Sequence, residues 1–416
     1  MNRSRQIVYR VSAYSRLTLV LIVAGLQLQI LSAQPAETHN PGKIQEPWSA
    51  RMADSFMVRH PDTIAYAGDA KSGRWTYEQG VMLESLIQLA RATGKERYWQ
   101  YIKRNVDCYV RADGNIDTYD FDSFNLDNIA TGRALLALYA TTREMKYKCA
   151  ADTLRKQLAQ QPRTPEGGFW HKKIYPNQMW LDGLYMAEPF YAEYAQMFGD
   201  TADFDDIARQ FILIESHTRD AKTGLLYHAW DESRQQKWAN PSTGTSPQFW
   251  SRAIGWYTWA LVDVLDYFPK DHPKRLELVA ILERLSKVLI NFREPTTGLW
   301  YQVLDQGNRA GNYLEASGSC MFVYALAKGA RKGYLDRSCY AIAKESFQGV
   351  VDSLVTVNND GTINLNHACQ GAGLGGVPYR DGSYEYYVNE KQRTNDFKAV
   401  GPFILAALEL EKGASQ

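Results

Sequence analysis

The stretch FWSRAIGWYTWALV at residues 249–262 decides the fold, because it is apolar or small on nearly every side of a helix. The later stretch PKRLELVAILERLSKVLINF, residues 273–292, carries charges on one face and aliphatic residues on the other. A helix that is apolar all round is buried, whereas a helix with one polar face lies at the surface. The two stretches therefore predict an inner helix followed by an outer helix.

The same pairing repeats along the chain. Inner-type segments rich in small and aromatic residues begin near Trp75, Leu126, Leu181, Trp250, Tyr313 and Phe397. Amphipathic partners follow most of them, at residues 95–110, 146–160, 204–214, 273–292 and 336–354. A helix near residues 48–60 supplies a partner that closes the set. About six such hairpins predict an all-α fold, an (α/α)6 toroid.

A second repeat lies in the connections between these helices. It reads Gly167-Gly168-Phe169-Trp170-His171, then Gly224-Leu225-Leu226-Tyr227-His228, then Gly298-Leu299-Trp300-Tyr301-Gln302. A Gly turn that leads into a short aromatic run predicts a β-hairpin loop. Three equivalent loops at one rim would aim His171, His228 and Gln302 at a common axis. The alternative is that the turns merely close hairpins.

Composition narrows the function classes. The 416 residues are 45% hydrophobic and 22% charged, as in globular proteins, and the net charge of +1 gives no basic face for nucleic acid. The 12% aromatic content suits sugar binding. The five cysteines are scattered without the spacing of a zinc site, and no pattern implies a cofactor or a metal.

The N-terminus is typical of a secretory signal. Arginines precede an apolar run from Leu17 to Leu31, and Ser32-Ala33 follows. We expect a signal peptide at 1–33, an N-terminal extension at 34–47, a single catalytic domain at 48–416 and a periplasmic location without membrane attachment after cleavage. The alternative is an uncleaved anchor.

Two aspartates occupy matching places. Asp127 and Asp182 each lie near the start of an inner segment, and helix starts in a toroid face the same mouth. Paired carboxylates in different environments are typical of acid–base work on sugars. The alternative is helix N-capping. Trp180 flanks Asp182 and would desolvate it.

Other side chains could line the same mouth. Trp250 would offer an apolar platform and Arg252 paired donors for a carboxylate, or they are a core Trp and a surface Arg. His171 and Lys172 follow the first aromatic loop, where Lys172 could equally be solvated. Trp75 and Tyr77 open the first inner helix, and we expect one of them at the mouth.

Several motifs in this order resemble the unsaturated rhamnogalacturonyl hydrolases, glycoside hydrolase family 105. They are Trp180-Leu181-Asp182-Gly183-Leu184-Tyr185-Met186, Tyr227-His228-Ala229-Trp230-Asp231, Phe249-Trp250-Ser251-Arg252-Ala253-Ile254-Gly255-Trp256, Tyr379-Arg380-Asp381-Gly382-Ser383-Tyr384-Glu385-Tyr386-Tyr387 and Gly401-Pro402-Phe403. The resemblance runs from about Trp48 to Leu410.

This resemblance implies metal-free hydrolysis on an (α/α)6 barrel. The family's general acid/base falls on Asp182 and its second aspartate on Asp127; its pocket residues fall on His228, Trp250, Arg252, His171 and Lys172, and its first-helix aromatic on Trp75 or Tyr77. The implied substrate is an oligosaccharide with a terminal 4,5-unsaturated uronic acid, such as unsaturated galacturonyl-rhamnose from pectin. Asp182 would protonate C4, and Asp127 would orient substrate or water.

Three alternatives stay open. The same chemistry could act on unsaturated glucuronyl units of ulvan, arabinogalactan or a glycosaminoglycan. A sugar epimerase on the same toroid would use His171 and His228 as an acid–base pair. A non-catalytic sugar-binding protein is the third alternative, since fold alone does not exclude it.

Overall fold

Long helices form most of the chain. The computed structural model describes residues 46–69, 72–199 and 201–413. In chain order the α-helices in these ranges are α1 (Trp48–Arg59), α2 (Tyr77–Thr93), α3 (Glu96–Asp107), α4 (Gly132–Thr142), α5 (Met145–Gln160), α6 (Leu181–Phe198), α7 (Asp203–Thr218), α8 (Ser251–Tyr267), α9 (Arg275–Asn291), α10 (Ala316–Lys332), α11 (Ser338–Leu354), α12 (Tyr384–Asn389) and α13 (Phe397–Gly413).

Six of these helices close into an inner ring. Helix α2 packs against α4, α4 against α6, α6 against α8, α8 against α10, α10 against α13, and α13 returns to α2. The outer helices α3, α5, α7, α9 and α11 each follow one inner helix and pack against it, while α1 packs beside α13 and α2. The predicted (α/α)6 toroid is confirmed, with α1 as the helix that closes the outer ring.

The inner and outer helices differ in how much of their surface is buried, as the sequence pattern predicts. Helix α8 is buried continuously from Ser251 to Leu265. Outer helix α3 buries only one stripe, which includes Tyr98, Tyr101, Ile102 and Val106 at helical spacing. The inner ring therefore supplies the core, and the outer helices cover it.

Short strands lie between the helices. They are β1 (Gln178–Trp180), β2 (Ala229–Asp231), β3 (Val355–Val357), β4 (Ile363–Leu365), β5 (Ala368–Cys369) and β6 (Gln392–Arg393). Three antiparallel pairs form, β1 with β2, β3 with β4 and β5 with β6. The predicted hairpin loops are present but small: Phe169 bridges Arg163 across the turn at Gly167, where φ is +97°.

The loop repeat anchors the inner helices. The carbonyl of His171 accepts a hydrogen bond from Leu126 N–H at 3.1 Å, and that of His228 accepts one from Leu181 N–H at 3.0 Å. The Gln302 carbonyl accepts from Ser251 N–H in the same way. A fourth member, which the sequence repeat did not indicate, is His367, whose carbonyl accepts from Ala316 N–H. Each loop therefore ends at the N-terminal mouth of the inner ring.

Away from this mouth, a buried charge cluster crosses the ring. Arg133 of α4 contacts Glu84 of α2 at 2.9 Å, Glu193 of α6 at 3.3 Å and Asp263 of α8 at 2.8 Å. Lys328 of α10 contacts Asp263 from the other side at 2.5 Å. All five side chains are buried, and together they join five of the six inner helices.

The expected signal peptide and most of the expected extension fall at residues 1–45, outside the described residues. From Glu46 onward the chain forms one compact unit. No helix in the described ranges has both the length and the apolar character needed to cross a membrane.

Candidate active site

Asp182 lies in the first turn of α6, at the mouth of the ring. Strand β1 leads directly into this helix, and its last residue, Trp180, stays extended with φ −115° and ψ 145°. The side chain is largely buried, with 9% of the residue exposed. Its Oδ2 lies 3.0 Å from Nε2 of His228, which comes from the loop before β2. The pairing of β1 with β2 therefore places this carboxyl group against an imidazole.

Tyr387 orients His228 from behind. The Tyr387 hydroxyl oxygen lies 2.7 Å from Nδ1 of His228, and both side chains are fully buried. Burial raises the pKa of Tyr387 well above its ordinary value, so the phenol stays protonated and can donate a hydrogen bond to Nδ1. This leaves Nε2 as the imidazole nitrogen that faces Asp182. Tyr387 ends one of the sequence motifs, but the sequence alone did not indicate a role for it.

Asp127 forms a second carboxylate–imidazole pair. It lies in a 3-10 turn, Leu126–Asn128, before α4 and not inside the start of that helix, because Asn125 caps the turn by accepting from Asp127 N–H. Its Oδ1 lies 3.3 Å from Nε2 of His171, and its Oδ2 accepts a hydrogen bond from Lys172 at 2.5 Å.

Charge fixes the ionisation of Asp127. Burial would raise the pKa of this carboxyl group, but the Lys172 ammonium and the His171 ring outweigh burial and hold the pKa far below its usual range. Asp127 is therefore a permanent carboxylate. No lysine or arginine of the described chain lies within ion-pair distance of Asp182.

Trp180 joins the two pairs. Its ring stacks on His171 with centroids 4.8 Å apart and planes at 6°, and it meets His228 edge-on at 5.3 Å. Tyr175 stacks on Trp180 as well, at 4.8 Å. A continuous series of contacts thus runs from Asp127 through His171, Trp180 and His228 to Asp182. These predicted site residues are brought together by the structure, and Lys172 lies beside them.

Trp250 and Arg252 lie deeper than expected. Trp250 is 1% exposed; its ring packs 4.9 Å from His228, and its Nε1 donates to Gln302 Oε1 at 3.0 Å. Gln302 thus supports Trp250 and, with its own amide, donates to the Tyr387 carbonyl. The Arg252 guanidinium lies 5.5 Å from the Trp250 ring.

Arg252 already has partners within the protein. Its Nε donates to Ser317 at 2.7 Å, its Nη2 donates to the Cys369 carbonyl, and Glu315 lies 3.5 Å away. Arg252 and Glu315 are both buried. The expected contact between Arg252 and a substrate carboxylate stays a prediction, while its observed contacts support the Trp250 wall.

Trp75 and Tyr77 line a cavity of about 490 Å³ beside the Asp127 turn. Trp75 is buried, and its Nε1 donates to the Asn128 carbonyl, next to Asp127. Tyr77 begins α2 and meets Trp256 edge-on. The sequence left open which of the two lies at the mouth; both line this cavity, and Trp75 also binds the backbone beside Asp127.

The segment at residues 370–391 covers this mouth from outside. Its side chains, among them Arg380 and Tyr386, line a cleft of about 1040 Å³, and these two also border a cleft of about 780 Å³ that reaches Tyr175. These clefts provide room for an extended ligand. In the described ranges no three His, Cys, Asp or Glu side chains are placed to hold a metal ion.

Comparison with known proteins identifies relatives of this architecture. The Glycosyl Hydrolase Family 88 profile matches residues 48–414. A solved glycoside hydrolase of family 105 from Clostridium acetobutylicum (C. acetobutylicum ATCC 824) is 44% identical, with a TM-score of 0.85, over 88% of this chain and 100% of that chain.

Two curated sequences extend the comparison. Unsaturated rhamnogalacturonyl hydrolase YesR of Bacillus subtilis is 27% identical over 74% of this chain and 84% of its own. Protein Atu3128 of Agrobacterium fabrum is 38% identical over 54% of this chain and 97% of its own.

Proposed function

Because this chain belongs to glycosyl hydrolase family 88 and is 44% identical to a glycoside hydrolase of family 105, it is a glycoside hydrolase, and we propose that it removes a terminal 4,5-unsaturated uronic acid from lyase-generated oligosaccharides. The proposed substrate is unsaturated galacturonyl-rhamnose from the rhamnogalacturonan of pectin. The name of the relative YesR, an unsaturated rhamnogalacturonyl hydrolase, supports this choice.

One observation carries the proposed chemistry: the two carboxyl groups are not equivalent. Lys172 holds Asp127 as a permanent carboxylate, so Asp127 has no proton to donate. Asp182 has an imidazole as its neighbour instead of a cationic side chain of Lys or Arg. A site with one proton-donating carboxyl group fits hydration of a double bond, whereas ordinary glycosidases flank the glycosidic bond with two working carboxyl groups.

The proposed reaction begins at the enol ether of the unsaturated ring. Asp182 donates its proton to C4, and positive charge develops at C5 and the ring oxygen. Water then adds to C5 while the Asp182 carboxylate accepts one of its protons, so the acid is regenerated. The product is a hemiketal, whose ring opens and releases the neighbouring sugar. Asp127 carries a negative charge close to the site and stabilises the positive charge as it forms.

The walls of the site assist this step. The half-buried Tyr175 stacks on the buried Trp180, and its ring would suit the flat C4=C5 edge of the sugar. His228 contacts Asp182 and is held by Tyr387, so it orients the acid. The clefts beneath residues 370–391 would receive the rest of the oligosaccharide.

Ultraviolet absorbance tests the proposal directly. Mixing the protein with lyase-digested rhamnogalacturonan should remove the absorbance of the conjugated double bond, and the Asp182→Asn variant should leave it. Lyase fragments of a glycosaminoglycan, assayed alongside, test the alternative glucuronyl substrate. If saturated pectin oligosaccharides were cleaved as fast as lyase products, the hydration mechanism would be wrong. An epimerase or a sugar-binding protein would leave the absorbance unchanged.

A further inference from the structure

Glu188 is a buried acid that the proposed reaction does not use. It lies in α6, on the same helix as Asp182, and is 1% exposed. Its Oε2 has no hydrogen-bond partner among the described residues. An unsatisfied carboxyl oxygen in the interior costs about 1–3 kcal/mol, so its retention calls for a physical reason.

His171 has a matching unsatisfied atom. Its Nδ1 is buried and also lacks a hydrogen-bond partner in the described part of the chain. Glu188 and His171 line the same enclosed cavity of about 10 Å³, whose remaining wall is mostly apolar. A cavity of roughly 10–15 Å³ has room for a single water molecule. One water molecule in this cavity is therefore a candidate partner for both unsatisfied atoms.

The position of the proton on His171 determines whether this ring donates or accepts the hydrogen bond in the cavity. The Nε2 of His171 faces the permanent carboxylate of Asp127 at 3.3 Å, and a carboxylate favours an N–H at that position. A neutral imidazole with its proton on Nε2 has a bare Nδ1, which needs a hydrogen-bond donor.

The other polar group of the cavity cannot be that donor. Gln210 uses its Oε1 to accept from Phe169 N–H, and its Nε2 donates to the Gly167 carbonyl and to Asp206. Burial raises the pKa of Glu188 well above its ordinary value, with Asp206 adding to the effect and Arg163 opposing it less strongly. The Glu188 carboxyl group therefore has a proton to share.

We propose that the Glu188 carboxyl group donates through one water molecule to Nδ1 of His171, fixes the Nε2–H tautomer of that ring and thereby positions Asp127. Glu188 is a positioning residue, since it acts on the site through His171. Gly183 supports this arrangement: a Cβ at that position would lie 3.1 Å from His171 Nδ1 and crowd the ring. The effect on turnover rests on the proposed function, but the tautomer does not.

Two variants of matched size test the kinetic effect. Glu188→Gln keeps a donor and should retain the wild-type kcat, whereas Glu188→Leu keeps the volume without a donor and should lower kcat about tenfold, the scale of one lost hydrogen bond to a charged or oriented group. KM should change little in both, because Glu188 does not reach the mouth. Equal kcat values for the Leu variant and the wild type would overturn the proposal, as would an equally impaired Gln variant.

A measurement on the resting protein covers the case in which Glu188→Leu fails to fold. With histidines labelled by ¹⁵N, the NMR signals of His171 in the wild type and in Glu188→Gln should report Nε2 protonated and Nδ1 bare. A doubly protonated ring, or the opposite tautomer, would refute the proposal. This measurement needs no substrate, so it can refute the proposal whether or not the proposed function holds.

Discussion

The two carboxylate–imidazole pairs at the mouth are built alike and differ in one neighbour. Asp127 faces His171 and Asp182 faces His228, both through Nε2, at 3.3 and 3.0 Å. Lys172 binds Asp127, while no lysine or arginine of the described chain reaches Asp182. In the proposed reaction, the charged neighbour, and not the identity of the acid, would therefore separate the stabilising carboxylate from the proton donor.

The difference starts from one position of the loop repeat. The residue that follows the loop histidine is Lys172 in the first loop and Ala229 in the second. Ala229 is buried in strand β2, where it pairs with Trp180. Lys172, by contrast, lies in an irregular loop, from which its side chain reaches Asp127. The residue type at this one position of the equivalent loops therefore gives Asp127, but not Asp182, a cationic neighbour.

The largest expected effect comes from Asp182→Asn. The amide keeps the shape of the side chain but cannot transfer a proton, so turnover should fall by about 10²–10⁴-fold, the usual contribution of a general acid. The absorbance assay measures the rate, and circular dichroism with thermal melting checks that the fold is intact. Activity within about tenfold of wild type would mean that Asp182 is not the acid.

Lys172→Gln should make the two pairs more alike. Without the ammonium, the depressed pKa of Asp127 rises toward or above the ordinary value of about 3.9, so Asp127 takes up a proton at a higher pH than in the wild type. Activity should then be lost at a higher pH on the acidic side, with a decrease of about tenfold there.

The neighbouring lysine offers a matched control for that experiment. Lys173 is exposed, and its ammonium group meets the Asp122 carbonyl and the Phe124 ring, not Asp127. Lys173→Gln should keep the wild-type dependence of kcat on pH. If Lys172→Gln gave the same profile as this control, Lys172 would not set the charge of Asp127.

Tyr387→Phe should give the smallest effect. It removes the one hydrogen bond to Nδ1 of His228 and keeps the ring that packs on Trp250. A decrease in kcat of about two- to tenfold is expected for a loss of roughly 0.5–1.5 kcal/mol. Tyr384→Phe serves as control, because that hydroxyl instead donates to the carbonyls of Arg309 and Ala310. An unchanged rate for Tyr387→Phe would show that His228 is oriented by its packing alone.

Local pattern was enough to predict the architecture. The inner helices begin within about seven residues of the predicted positions, because their all-round apolar character extends along the segment itself. The first turn of α6 was predicted to present Asp182 at the mouth, and it does. The 3-10 turn that carries Asp127 was missed, since its Asn125 cap lies in a loop without periodicity.

Contacts between distant segments could not be read from the sequence. Tyr387 meets His228 across 159 residues, and Glu315 meets Arg252 across 63. Nothing near Arg252 in the chain indicates that Ser317 and Glu315 will surround it, so its burial against Trp250 could not be predicted. The fourth loop position, at His367, was missed because it lacks the Gly-aromatic pattern of the other three.

The buried charge cluster around Arg133 has a consequence for how the toroid assembles. Each ion of the cluster comes from a different inner helix, so a partly closed ring would leave a charge in the interior without its partner. Breaking a buried pair in this way costs about 3–5 kcal/mol. Intermediates that lack one hairpin are therefore disfavoured. The ring should unfold as a single cooperative unit, unlike a linear solenoid, which can lose its repeats one at a time.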